Sequence, residues 1–226
     1  MDQSNQNKSS TTAAAIAAVV GLAAGFGIAY AVKPADKATN MASTTPTTAS
    51  KAADLRVVLN GIEREHVQLA AQATKSGFDG SPNFNAAAAA TLANSKSLSD
   101  AVASVYGADA GTKFNQIFDS HITFFVNYTV AAKKGDKAGM DKAVTDLNGY
   151  VDAISDFLSG ANPNLPREAV KQLFTDHVGL LKATVDAYGA GNYAESFTQQ
   201  HAATEQIGKI ADALSGAIVK QYPAKY

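Results

Sequence analysis

Three of the four histidines, His66, His121 and His177, fall at nearly equal intervals and carry matching neighbours on both sides. Imidazoles carried on helices that converge in a bundle core are a common route to a metal site, and copper and zinc both accept nitrogen ligands. Glu63, three residues before His66, shares its helical face and adds an oxygen donor. His201, with Glu205 one turn later, supplies a further nitrogen and oxygen pair. The candidate ligands are therefore His66, His121, His177, His201, Glu63 and Glu205, and the candidate ion is copper or zinc. Glu65, Asp119 and Asp176, close to the three repeated histidines, are placed to accept a ring N–H and so orient an imidazole. A plainer reading stands beside this one. A histidine on an apolar stripe often donates only to a backbone carbonyl, and duplication would copy that role three times in a structural or protein-interaction module.

The elements that must position these rings follow from hydrophobic period. Seven residues before each histidine stand Leu59, Phe114 and Val170, and four before stand Ile62, Ile117 and Leu173. Three beyond come Leu69, Phe124 and Leu180, and four beyond come Ala70, Phe125 and Leu181. Offsets of −7, −4, 0, +3 and +4 share one helical face, so each imidazole lies within an apolar stripe. Aromatic residues on the middle stripe, Phe114, Phe118, Phe124, Phe125 and Tyr128, read as central core.

Helix punctuation divides the chain into six segments. Asp54 to Ser76 is closed by Gly77-Phe78-Asp79-Gly80, Ser81 caps a second helix with Pro82 in its first turn running to Tyr106, and Asp109 to Lys134 is the third. Asp136 opens a fourth to Ser159, Pro166 a fifth to Tyr188, and Tyr193 a sixth to Gln221. Even-numbered helices repeat an apolar pair of their own: Leu98 and Val102, Ile154 and Leu158, Ile210 and Leu214. No segment alternates with a period of two. Each hairpin alone exposes an apolar face, so the expected fold is all-α, an antiparallel bundle of three repeated helical hairpins.

Composition excludes several chemistries. Cysteine is absent, which removes disulfides, thiolate metal sites and Cys nucleophiles. A formal net charge of −1 leaves no basic excess for nucleic acid. The chain has no phosphate-binding Gly-x-x-x-x-Gly-Lys-Ser/Thr loop, no Gly-x-Ser-x-Gly elbow and no His-Glu-x-x-His pair, so no enzyme is indicated. A carboxylate di-iron bundle needs two Glu-x-x-His pairs, and only Glu63-Arg64-Glu65-His66 fits. A hemerythrin-like site wants more histidines than four and a His-x-x-x-His pair that is missing.

The amino terminus suggests a compartment. After a polar start at residues 1–11, residues 12–32 carry no charge and are rich in Ala, Val, Ile and Gly, long enough to span a hydrocarbon layer of about 30 Å. Ala29-Tyr30-Ala31 also resembles a signal-peptidase site, and the length of the run favours an uncleaved anchor over a signal peptide. Gly21 and Gly25 form a Gly-x-x-x-Gly pair through which two such helices could approach as a homodimer. Residues 33–51, rich in Ala, Ser and Thr, read as a flexible linker, with the helical domain at 52–226 outside the cytoplasm.

The stretches Glu65-His66-Val67, Val105-Tyr106-Gly107-Ala108-Asp109-Ala110-Gly111, Ser120-His121-Ile122, Ala131-Ala132-Lys133-Lys134-Gly135-Asp136, Phe157-Leu158-Ser159-Gly160-Ala161-Asn162-Pro163, Asp176-His177-Val178 and Ile218-Val219-Lys220-Gln221-Tyr222-Pro223-Ala224-Lys225-Tyr226 resemble a bacterial family of repeated, histidine-bearing helical hairpins without established function. The likeness runs from Leu55 onward. It implies the all-helical fold and its boundaries, and it implies no catalytic residue. Taken together, the sequence points to a membrane-tethered helical binding domain, with metal held by the repeated histidines as its leading chemistry.

Overall fold

The computed structural model describes residues 50–226, all of whose regular elements are helices: α1 (Lys51–Asp79), α2 (Phe84–Tyr106), α3 (Ala108–Lys134), α4 (Lys137–Ala161), α5 (Arg167–Gly189) and α6 (Tyr193–Gln221). The expected membrane segment, its Gly21 and Gly25, and nearly all of the linker lie outside the described residues. Among the described residues no helix is long and apolar enough to cross a membrane.

Local chemistry sets the ends. Ser50 accepts from the Ala53 N–H and Asp136 from the Gly139 N–H, so α1 and α4 each start on a side-chain cap. Gly80 and Gly135, both at φ +67°, end α1 and α3 in the left-handed conformation. The N–H after each glycine bonds back into the helix just finished, Ser81 to Ser76 and Asp136 to Ala131. That bond explains a difference from the sequence reading at α2. Ser81 is held by the closing turn of α1, and Asn83, without a side-chain bond, occupies the cap of α2.

Short connections make successive helices run in opposite directions. Each packs on the next, and α1 closes the ring against α6. Inside that ring the odd-numbered helices also touch one another, α1 with α3, α1 with α5 and α3 with α5. The core therefore lies where α1, α3 and α5 turn their histidine-bearing stripes inward, with Leu59, Phe114, Phe118, Val170 and Phe174 below and Val67, Phe125, Val178 and Leu181 beyond. Phe114, Phe118, Phe125 and Tyr128 are buried, and Phe124 is partly so.

Candidate metal centre

His66, His121 and His177 are 0, 1 and 2% exposed and meet on the bundle axis. The Nε2 atoms of His66 and His121 face each other at 3.2 Å. The ring of His177 stands 6.2 Å from that of His66, centre to centre. Phe118 sits edge-on to His121 at 4.5 Å, and Tyr150 stacks on its other side at 4.5 Å. Glu63, one turn before His66, is 2% exposed and buried without a cation beside it.

Three further residues, not singled out by the sequence reading, complete this layer. Asn94 on α2, Tyr150 on α4 and Gln206 on α6 each stand four residues before the repeated Leu98, Ile154 and Ile210, and all three are buried. The Asn94 amide donates to the Ile62 carbonyl at 3.0 Å, and the Gln206 amide donates to the Leu173 carbonyl at 2.6 Å. Ile62 and Leu173 are each four residues before a histidine, so the two amides are anchored in the same way to His66 and His177. The signal was present in the even-helix repeat, one turn before its apolar pair. Polar residues of three different kinds at one repeated position do not register as a motif.

Among the described residues, the fully buried side-chain atoms that lack a hydrogen-bond partner are Glu63 Oε2, His66 Nδ1, Asn94 Oδ1, Tyr150 OH, His177 Nδ1 and Gln206 Oε1. Every one belongs to this layer. Leaving a buried polar atom unpaired costs about 1–3 kcal/mol, so their concentration at one level calls for a chemical reason.

Burial sets the charge state. It pushes His66 down to about 4, with Asn94 partly opposing, and His177 down to about 3, with His66 adding to the effect. His121 is held well below its ordinary range by burial and by the two neighbouring imidazoles. The Glu63 carboxyl is pushed up to about 8 by burial. At neutral pH the layer thus holds neutral imidazoles and a protonated acid, and an imidazole in that state is ready to ligate.

Phe118 fixes one tautomer. Its carbonyl can only accept, so His121 Nδ1 carries the proton bonded to it, and Nε2 is left as a bare lone pair aimed at His66. If His66 donates from Nε2, its own Nδ1 is bare and without a partner, as Asn94 Oδ1 also is. If instead Nδ1 carries the proton, two bare Nε2 atoms face at 3.2 Å.

Two of the expected ligands do not join the layer. His201 and Glu205 do share a face of α6, but it is the exposed one, because Ala203, Gln206, Ile207 and Ile210 turn the opposite side inward. Glu205 pairs with Arg64 at 3.2 Å instead. Of the acidic neighbours, Glu65 reaches the layer only by accepting from Asn94 at 2.9 Å. Asp119 is engaged by Ser95 and Asn115, and Asp176 is exposed and held by Gln172. Among the described residues no three His, Asp or Glu side chains already have their donor atoms gathered around one point.

No protein-family model matches this chain, and no curated protein or solved structure does either.

Proposed function

We propose that the domain binds a transition-metal ion, copper or zinc, between His66 and His121, with His177 and Glu63 as the donors that complete the sphere. The observation that carries this reading is the 3.2 Å separation of the two Nε2 atoms. Two nitrogens each about 2.0–2.1 Å from a tetrahedral ion lie roughly 3.3–3.4 Å apart, so the pair already has the bite of a chelate. The Phe118 carbonyl holds the His121 ring with Nε2 free, the arrangement usual for metal-bound histidine. A bound dication also favours ionised Glu63 and removes the cost of burying its unpaired oxygen. The uncharged residues 12–32 support a tether that holds this domain at a membrane surface, outside the cytoplasm.

A second reading has its own observation. No three donors are yet gathered, which suits a polar layer that only fixes the register of the three hairpins. Metal analysis of the purified protein without a histidine tag separates the two. Metal binding requires a stoichiometric ion, with His66→Gln or His121→Gln weakening copper or zinc at least tenfold, about 1.4 kcal/mol, and His201→Gln leaving affinity unchanged. The structural reading requires no stoichiometric metal, and each core His→Gln change would then destabilise the protein by about 1–3 kcal/mol.

A further inference from the structure

On the outer face of α6, Tyr193 and Phe197 are 56 and 64% exposed, and His201, four residues further on, is exposed on the same stripe. The repeat shows what such a face carries elsewhere in the bundle. The matching positions of α4 are Lys137, Asp141 and Thr145, and the first two form an exposed ion pair. In the first hairpin they are Ser81, Asn85 and Ala89. Only the third hairpin puts rings where the other two put solvated or small side chains.

These rings are held in place. Tyr193 packs on Tyr188 at 5.1 Å between ring centres, and the Tyr188 hydroxyl donates to Asp79 at 2.7 Å. The Lys75 ammonium lies 4.2 Å from the centre of the Phe197 ring. From Lys75 a chain of hydrogen bonds runs along the α1–α6 seam. Lys75 donates to Gln200 Oε1 at 2.7 Å, the Gln200 amide donates to Gln68 Oε1 at 2.8 Å, and the Gln68 amide donates to the Thr204 hydroxyl at 3.4 Å. A lysine can only donate, so the order of donors and acceptors down this chain is fixed, and each glutamine keeps one amide hydrogen for an outside partner.

Flat apolar rings bordered by oriented, uncharged amides suit a ligand with C–H faces and a rim of hydroxyls. Residues four apart on a helix stand about 6 Å apart along its axis, so Tyr193 and Phe197 can each take one ring of a chain of pyranoses. We propose that this track is a binding site for an uncharged linear oligosaccharide, with Tyr193 and Phe197 stacked on successive sugar rings and Gln200 and Gln68 bonded to their hydroxyls. A single-stranded nucleic acid also stacks on aromatic rings, but its backbone needs a row of cations, and at these rings the described residues supply one, Lys75. The site lies outside the histidine layer and does not depend on metal.

The test is calorimetric titration of the full chain, in a detergent without a sugar headgroup, with cellotetraose and chitotetraose as the probes. Saturable binding of at least one is expected. Tyr193→Ala and Phe197→Ala, both at exposed positions, should each weaken it about tenfold or more at an unchanged melting temperature, Gln200→Ala should weaken it too, and Phe197→Trp should retain it. No heat from either tetrasaccharide at millimolar concentration overturns the site. Binding of equal strength in Tyr193→Ala and Phe197→Ala overturns its placement on α6. Self-association that Phe197→Ala abolishes, without sugar binding in the parent, assigns the rings to a second copy of the chain and overturns the proposal as well.

Discussion

His66 and His121 point Nε2 at Nε2 across 3.2 Å, and the Phe118 carbonyl on the far side of His121 makes that contact asymmetric. His121 must keep its proton on Nδ1, so in the metal-free protein the only N–H available to the gap belongs to His66. We therefore expect His66 to be the Nε2–H tautomer without metal and to switch to Nδ1–H when copper or zinc is added. His121 should remain Nδ1–H throughout. Two-bond proton–nitrogen correlation spectra, with diamagnetic zinc as the ion, read both tautomers directly. A His66 pattern that does not change at saturating zinc would rule out the proposed bridging ion.

Stability of the metal-free protein should pass through a maximum near pH 6.5. The three imidazoles are held below their ordinary value of 6.5, so on acidification the unfolded chain binds protons that the folded one refuses, and stability falls from 6.5 down toward about 4. Glu63 works in the other direction. Its folded value near 8 lies above its ordinary 4.5, so the stability it contributes is complete below 4.5 and is lost as pH rises through 8. Between 4.5 and 6.5 three histidines outweigh one carboxyl, each proton contributing about 1.4 kcal/mol per pH unit, while above 6.5 the carboxyl acts alone. Denaturant titrations across pH 4 to 9 should show the asymmetric peak, and Glu63→Gln should flatten its alkaline side. An alkaline side as steep in Glu63→Gln as in the parent would place the titrating group elsewhere.

The odd-numbered helices were legible because burial and period coincide: Leu59, His66 and Val67, with their counterparts on α3 and α5, carry one stripe that could only face inward. The outer face of α6 was not. His201 and Glu205 share a face as their spacing requires, but their spacing alone does not say which face of the helix meets the core, and it is the opposite one, marked by Ala203, Gln206, Ile207 and Ile210. Asn94, Tyr150 and Gln206 were hidden for a related reason. An amide, a phenol and an amide at one position read as unrelated surface polarity until packing shows each buried beside the histidine level.

The last expectation concerns how the ring is closed. Along the α1–α6 seam Arg56 grips Asp212 with two bonds of 2.6 Å, Arg64 meets Glu205, and Lys75 donates to Gln200 at 2.7 Å. These contacts are largely exposed and screened by solvent, so Asp212→Asn should leave the melting transition nearly where it was. Beneath them, Leu59 and Val67 share one apolar core with Ala203, Ile207, Ile210 and Ala211, and none of these survives exposure cheaply. Ending the chain before Pro166 removes α5 and α6 together, strips the cover from the inner faces of α1, α3 and α4, and takes away His177 and Gln206. That truncated protein should keep far-ultraviolet helicity, bind a hydrophobic dye and melt without a cooperative transition. A sharp, parent-like melt would instead mean that each hairpin is stable on its own and that the histidine level is not what joins the three.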